Sequence, residues 1–200
     1  RLNWIKGDST DEVRRGGALA TFRNRFDSAL NEERPLGDII NSDPMYVEKE
    51  DFGYATGTFT EASTYAAYRN SNTRPPVIYV GANDGMLHAF QSDVSQPNSG
   101  VELFAYIPKG VYATLVNLTR PTYIHKYYVD GSPMAGDAYF GDVSNASPSW
   151  KTVLVGGLNS GGKSIYALDI TCPTTFDETK ILWEFSDGAD LGFTYSQPQI

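Results

Sequence analysis

The sequence predicts an all-β chain, the incomplete portion of a β-propeller of four-stranded antiparallel blades, preceded by a short N-terminal lead-in. Three observations carry that prediction. First, VIYVGANDGMLHAF at residues 77–90 sets two short apolar runs around Asn83, Asp84 and Gly85. Those residue types tolerate or favour the left-handed backbone of a tight connection, so the stretch is a β-hairpin signal. Second, the hairpin recurs: TVLVG at 152–156 matches VIYVG at 77–81, and IYALD at 165–169 matches LHAFQ at 87–91. Third, flanking pieces recur with it. LFAY at 103–106 matches LWEF at 182–185, and SDPM at 42–45 matches GSPM at 131–134 and, once more, SQPQI at 196–200. A repeated four-strand unit defines a radial or stacked β architecture. Blade-like units are expected at 36–107 and 128–185, with a third beginning at 195–200. Runs such as VIYVG are apolar at successive positions, as in a sheet covered on both faces. A propeller closes with roughly 4 to 8 blades, so residues 36–200 are expected to be the first part of a larger ring.

Bulk properties narrow the function classes. Hydrophobic residues make up 40 % and aromatic residues 13 %, which is enough for a core. Thirteen tyrosines and ten phenylalanines favour strands. Acidic residues number 24 against 16 basic ones, for a net charge of -8, and the excess falls beyond residue 34. Such a surface repels a nucleic-acid phosphate backbone and suits divalent cations or a basic partner. The lone Cys172 excludes an internal disulfide and a thiolate zinc cluster within these residues. No apolar run reaches the length of a membrane span. The chain opens on Arg1 without a signal peptide, so any targeting segment is expected upstream or already removed.

Taken in order, residues 1–35 form the lead-in and are expected to be partly helical. Ala18, Leu19, Phe22, Phe26 and Leu30 recur at spacings of three and four around Arg23 and Arg25, which fits a short amphipathic helix over 14–30, although Gly16 and Gly17 break its start. Residues 36–47 predict the first strand, with Pro44 as a break or edge position. Residues 48–72 are an insertion rich in Thr, Ser, Tyr and acids, long enough to carry function. Its aromatics Tyr54, Phe59, Tyr65 and Tyr68 are the candidate partner-binding residues; the alternative is a helix over 62–68 that packs on the blade. A short helix is expected over 111–118, ended by Pro121. Residues 123–129 then open the second unit, 137–140 continue it, and 145–149 form a turn.

Several motifs resemble chemistry. GLNSGGKS at 157–164 satisfies the phosphate-loop pattern, whose mechanism needs a helix to follow so that backbone amides converge on phosphate. Here IYALDI follows, aligned with the hairpin strand at 87–91, so a Gly-rich hairpin turn is predicted instead. His88 occupies the place of Tyr166 in the repeat and is expected to be structural; His125, the other histidine, has no evident catalytic partner. The acid pairs Asp187/Asp190 and Asp137/Asp142 lack the spaced ligand pattern of a calcium loop and fit turns better. NLT at 117–119 and NAS at 145–147 match the glycosylation pattern by chance. No catalytic, cofactor-binding or metal residue is expected within the chain.

The blade pattern of VxVG, NDG, a hydrophobic-Ala run and Leu-Trp-x-Phe resembles quinoprotein-like propellers. WIKGD at 4–8, LGDIINSDPMYV at 36–47, VIYVGANDGMLHAF at 77–90, VDGSPMAGDAYF at 129–140, WKTVLVGGLNSGGKSIYALDI at 150–170 and GFTYSQPQI at 192–200 together resemble the PilY1 family of type IV pilus proteins. That resemblance implies the N-terminal part of a C-terminal propeller in a large exported bacterial protein. It would reach the cell surface through the periplasm and sit at the pilus tip with minor pilins. It further implies a non-enzymatic role in pilus assembly, opposition to retraction, surface attachment and motility, with host or abiotic surfaces as further partners and no nucleic acid. Some members carry a calcium loop in a later blade; none is present in these residues. The alternatives are a quinone-dependent dehydrogenase-like enzyme, since the blade pattern is shared with such propellers, and a periplasmic scaffold.

Overall fold

The structure, a computed structural model, describes residues 1–17, 19–141 and 149–200. Ala18, Asp142, the NAS pattern at 145–147 and most of the expected turn at 145–149 lie outside the described residues. The lead-in holds a one-turn helix α1 (Leu2–Ile5) and a small hairpin, β1 (Phe26–Asp27) with β2 (Glu32–Glu33). Eight strands then build two four-stranded antiparallel sheets. The first contains β3 (Met45–Val47), β4 (Val77–Gly81), β5 (Leu87–Gln91) and β6 (Glu102–Tyr106). The second contains β7 (Met134–Phe140), β8 (Ser149–Gly157), β9 (Ile165–Asp169) and β10 (Ile181–Phe185). Each sheet is a meander in chain order, β3-β4-β5-β6 and β7-β8-β9-β10. The chain is therefore all-β, and its two blade-like sheets do not close into a ring.

The two hairpins pair alike but one residue out of step with the repeat: Tyr79 opposes Ala89 in the first, whereas Val155, the counterpart of Val80, opposes Ala167 in the second. Gly85 closes the first turn at φ +96°, a conformation that costs a side-chain-bearing residue energy. The middle strands are buried on both faces: Val77, Tyr79, Val80, Leu87 and Ala89 in one sheet, and Leu154, Tyr166, Ala167 and Leu168 in the other, belong to the core. The sheets meet through β6. The Tyr106 ring lies 5.3 Å from that of Tyr166, the Phe104 ring stacks on Phe176 at 3.8 Å, and the Tyr106 hydroxyl donates to Glu184.

The first strand of each sheet is shorter, or starts later, than its sequence suggests. Strand geometry begins at Met45 and at Met134, in both copies directly after the proline of the repeated piece, which has no N–H to give a ladder. Residues 36–44 are spent elsewhere: the Gly37 amide donates to Asp84 Oδ2 at 2.7 Å, and the Asp38 carbonyl accepts from the Asn83 amide at 3.0 Å. Residues 123–129 likewise form no strand; the Tyr128 amide donates to Asn83 Oδ1 at 3.0 Å, crossing onto the first hairpin. Residues 111–118 give two short 3-10 turns, Lys109–Val111 and Leu115–Thr119.

The helix expected over 14–30 does not form. Gly16 takes a left-handed φ of 68° and the chain doubles back, so that Val13 and Phe22 exchange backbone contact (Val13 N–H to Phe22 O, 2.9 Å). The buried Glu12 carboxylate gathers the turns by accepting from Arg14 and Arg25, at 3.1 Å each. Apolar spacing alone misled here, because cation–π packing uses the same residues: Arg14 lies over Phe26, and Trp4 is flanked by Arg23 and Arg25.

Candidate functional site

The insertion at 48–72 folds back onto the second sheet. Its helix α2 (Ala62–Ser71) carries the alternating small and aromatic residues that the sequence showed. Trp150, near the start of β8, is the anchor: its ring lies 4.7 Å from Tyr65, 5.6 Å from Tyr54, 6.3 Å from Phe59 and 6.4 Å from Tyr68. The indole N–H donates to Thr64 Oγ1 at 2.9 Å, so the polar edge of the ring is also satisfied.

A polar relay lies beneath these rings. The Tyr65 hydroxyl donates to Asp137 Oδ2 at 2.7 Å, and Thr152 Oγ1 donates to Asp137 Oδ1 at 2.6 Å. Tyr68 and Arg74 both donate to that threonine oxygen, Tyr68 at 2.7 Å. Burial, and then the Asp137 carboxylate, hold the Tyr65 phenol far above its ordinary ionisation; burial raises Tyr68 as well. Both phenols therefore remain neutral donors, and both Asp137 oxygens are occupied. The arrangement clamps the insertion to the blade and leaves no free acid or base for catalysis at this carboxylate.

The four candidate partner-binding residues thus converge on one cluster, but they face different ways. Tyr65 is fully buried and Tyr54 and Tyr68 are half-buried. Phe59 keeps 44 % of its surface exposed, and neighbouring Phe52 is exposed as well. Sequence reasoning does not single out Trp150; its only signal is an aromatic residue two positions ahead of the repeated TVLVG run.

The GLNSGGKS segment is a connection between β8 and β9, with the Gly161 amide donating to the Leu158 carbonyl at 2.8 Å. A strand follows it, so no helix N-terminus faces the loop. Gly161 is required by a close approach instead: a Cβ there would sit 1.6 Å from the Tyr128 carbonyl oxygen.

His88 lies buried between Asp84 (Nε2 to both carboxylate oxygens, 3.1 Å) and Glu102 (Nδ1 to Oε1, 2.5 Å). Burial opposes the charged ring, but hydrogen bonds to the two carboxylates win and push the pKa up to about 9. Because Asp84 also accepts the Gly37 amide, the histidine helps to tie the residues ahead of the first blade to its hairpin. A folded pKa above the free value of 6.5 means that this contribution is complete below about 6.5 and is lost as pH rises through about 9. Unfolding of the native chain and of His88→Gln should therefore differ most near about pH 6 and converge toward about pH 9.5. A gap that does not change with pH would contradict the charged clamp.

Cys172 is an exposed free thiol. The outer strand β10 is half-covered; Trp183 and Phe185 keep 46 % and 52 % of their surface, and Phe193 and Tyr195 are exposed beyond it. No helix among the described residues is long and apolar enough to cross a membrane.

Repeated four-stranded meanders, with middle strands buried on both faces and a second unit whose lead-in crosses onto the first hairpin, define a propeller-type blade array. Comparison with known proteins makes the family specific. The family model described as the PilY1 beta-propeller domain matches residues 36–200, and the chain belongs to that family. A Xylella fastidiosa protein named Type IV pilus biogenesis factor PilY1 homolog is 40 % identical over 210 residues, covering 100 % of this chain and 13 % of its own length. The Pseudomonas aeruginosa (strain PAK) Type IV pilus biogenesis factor PilY1 is 41 % identical over 207 residues, covering 100 % of this chain and 16 % of that protein. The crystal structure of the Pseudomonas aeruginosa PilY1 C-terminal domain aligns at 40 % identity with a TM-score of 0.49, over 68 % of this chain and 24 % of that one. The chain thus spans a small part of the relatives that it matches.

Proposed function

We propose that this chain serves type IV pilus biogenesis as a non-enzymatic propeller module that binds protein partners. The observation that carries this reading is the identity of about 40 % over the whole chain, lead-in included, to proteins named as pilus biogenesis factors. In this reading the parent protein is exported through the periplasm and acts at the pilus tip with minor pilins, supporting assembly, attachment and motility. The blade array continues past the unit that starts at 195–200, and the apolar outer face of β10 seats the next blade. The outward side of the insertion, with Phe52 and Phe59 exposed over a rigid base, is the partner-facing surface.

In-frame removal of residues 36–200 from the parent gene should abolish surface pili while pilin subunits are still made. Unchanged piliation would sink the biogenesis role. Phe52→Ser with Phe59→Ser should leave secretion intact and lower piliation; full piliation with that double variant would remove the insertion from the partner surface and leave the wider role standing.

A further inference from the structure

The lead-in and the first blade enclose a cleft of about 500 Å³. Its walls include Trp4 and Phe26 of the lead-in, Leu36 ahead of the first blade and Tyr123 from the linker to the second. The charged side chains that line it are answered by opposite partners, with one exception. Arg25 is paired with Glu12 at 3.1 Å, Arg34 with Asp27 at 3.2 Å, Asp38 with His125 at 2.8 Å and Asp84 with His88 at 3.1 Å. Arg23 pairs with no carboxylate among the described residues; its side chain donates once, from Nε to the Leu118 carbonyl at 3.0 Å. The two terminal nitrogens of the guanidinium form a planar fork, and neither is sealed off from the cleft.

That fork is held in place. The Arg23 amide donates to the Thr119 carbonyl at 2.9 Å, and the Arg23 carbonyl accepts from the Trp4 indole N–H at 3.1 Å. The guanidinium carbon lies 4.4 Å from the centre of the Tyr123 ring and 5.5 Å from that of Trp4. Aromatic faces offset part of the desolvation of a half-buried cation, but they give its N–H edge no acceptor. Burial draws the Arg23 pKa down, yet a guanidinium stays charged at any physiological pH. A fixed cation with an open fork is preorganised for a planar anion, which it can grip through two parallel hydrogen bonds.

We propose that Arg23 anchors a carboxylate-binding site in this cleft, one that receives a singly charged peptide carboxylate from a chain terminus or an acidic side chain. Asp27, Asp38 and Asp84 stand on the same walls and oppose a dianion such as phosphate, so a single negative charge fits better. Trp4, Phe26 and Tyr123 suit an apolar or aromatic group beside that carboxylate. A bound ligand would bridge the lead-in to the linker between the blades, because the fork sits between Trp4 and Tyr123. The site requires nothing from the pilus reading, and its failure would leave that reading standing.

The test is titration of the intact protein, labelled with ¹⁵N at its tryptophan indoles, while the Trp4 indole signal beside Arg23 is followed. The probes are acetylglycylphenylalanine with a free terminal carboxylate, its neutral amide, acetylaspartylphenylalanine amide with a side-chain carboxylate, and inorganic phosphate. At least one carboxylate probe should bind saturably and roughly tenfold or more tighter than the neutral amide, and which of the two binds identifies the source of the carboxylate. Arg23→Gln should abolish that preference, and Arg23→Lys, which keeps the charge but loses the fork, should weaken binding roughly tenfold. The same change at the exposed Arg34, Arg34→Lys, should leave binding unchanged. Arg23→Lys decides the matter if Arg23→Gln fails to fold. Equal affinity for the acids and the neutral amide, tighter binding of phosphate, or affinity unchanged in the folded Arg23 variants would overturn the site.

Discussion

Trp150→Ala is expected to lower the unfolding free energy by about 3–5 kcal/mol, the range for emptying a buried large aromatic site. The cost is concentrated because one ring supports the whole insertion: Tyr54, Phe59, Tyr65 and Tyr68 all pack on it, and Tyr139 adds an edge contact at 5.4 Å. Removing it should also free residues 48–72 before the sheets open. Limited proteolysis should then cut within the insertion while the β4–β5 hairpin stays protected. A loss below about 1 kcal/mol, with the insertion still protected, would mean that the polar relay to Asp137 holds it without the aromatic cluster.

Gly161→Ala should cost about 3 kcal/mol or more, because the new methyl group meets backbone rather than a yielding side chain. The Tyr128 carbonyl belongs to the segment that leads into the second unit, so relief of the clash requires that segment to move. Exposed Lys163, the lysine that a phosphate loop would need, should tolerate alanine within about 0.5 kcal/mol. Chemical denaturation of both variants, together with melting of the native chain with and without ATP, separates the two accounts of this motif. A melting temperature raised by ATP and lost in Lys163→Ala would restore the phosphate-loop reading.

Local signals carried well where local physics decides the outcome. The NDG turn, both hairpins, the strands at 102–106 and 181–185 and the packed helix of the insertion all follow from alternation, turn chemistry and repetition. The lead-in was opaque because its apolar spacing is shared between a helix and a doubled-back loop. Its structure depends on Glu12 reaching Arg25 and on Arg23 reaching the Leu118 carbonyl, contacts that no local window contains. The first strands were over-extended for a related reason: residues before each Pro-Met pair are apolar enough for strands, but their backbone groups bond to the neighbouring hairpin.

The candidate site was half legible. Tyr54, Phe59, Tyr65 and Tyr68 do form one cluster, but their orientation depends on Trp150, which lies far away in sequence. The seam between the two units also shows why the repeat matters for function. The second unit begins by crossing onto the first, through the Tyr128 amide to Asn83, and Thr194 reaches the β8–β9 connection in the same way, so the blades and their surface loops are held in fixed relation.

In the function proposed above, this propeller array binds pilus proteins and does no chemistry. Its most direct test is titration of the intact propeller, expressed from the parent gene, against soluble minor pilin heads. Saturable, stoichiometric binding that is weakened by Phe52→Ser with Phe59→Ser is the predicted result. A correctly folded propeller that binds none of the heads would contradict the account.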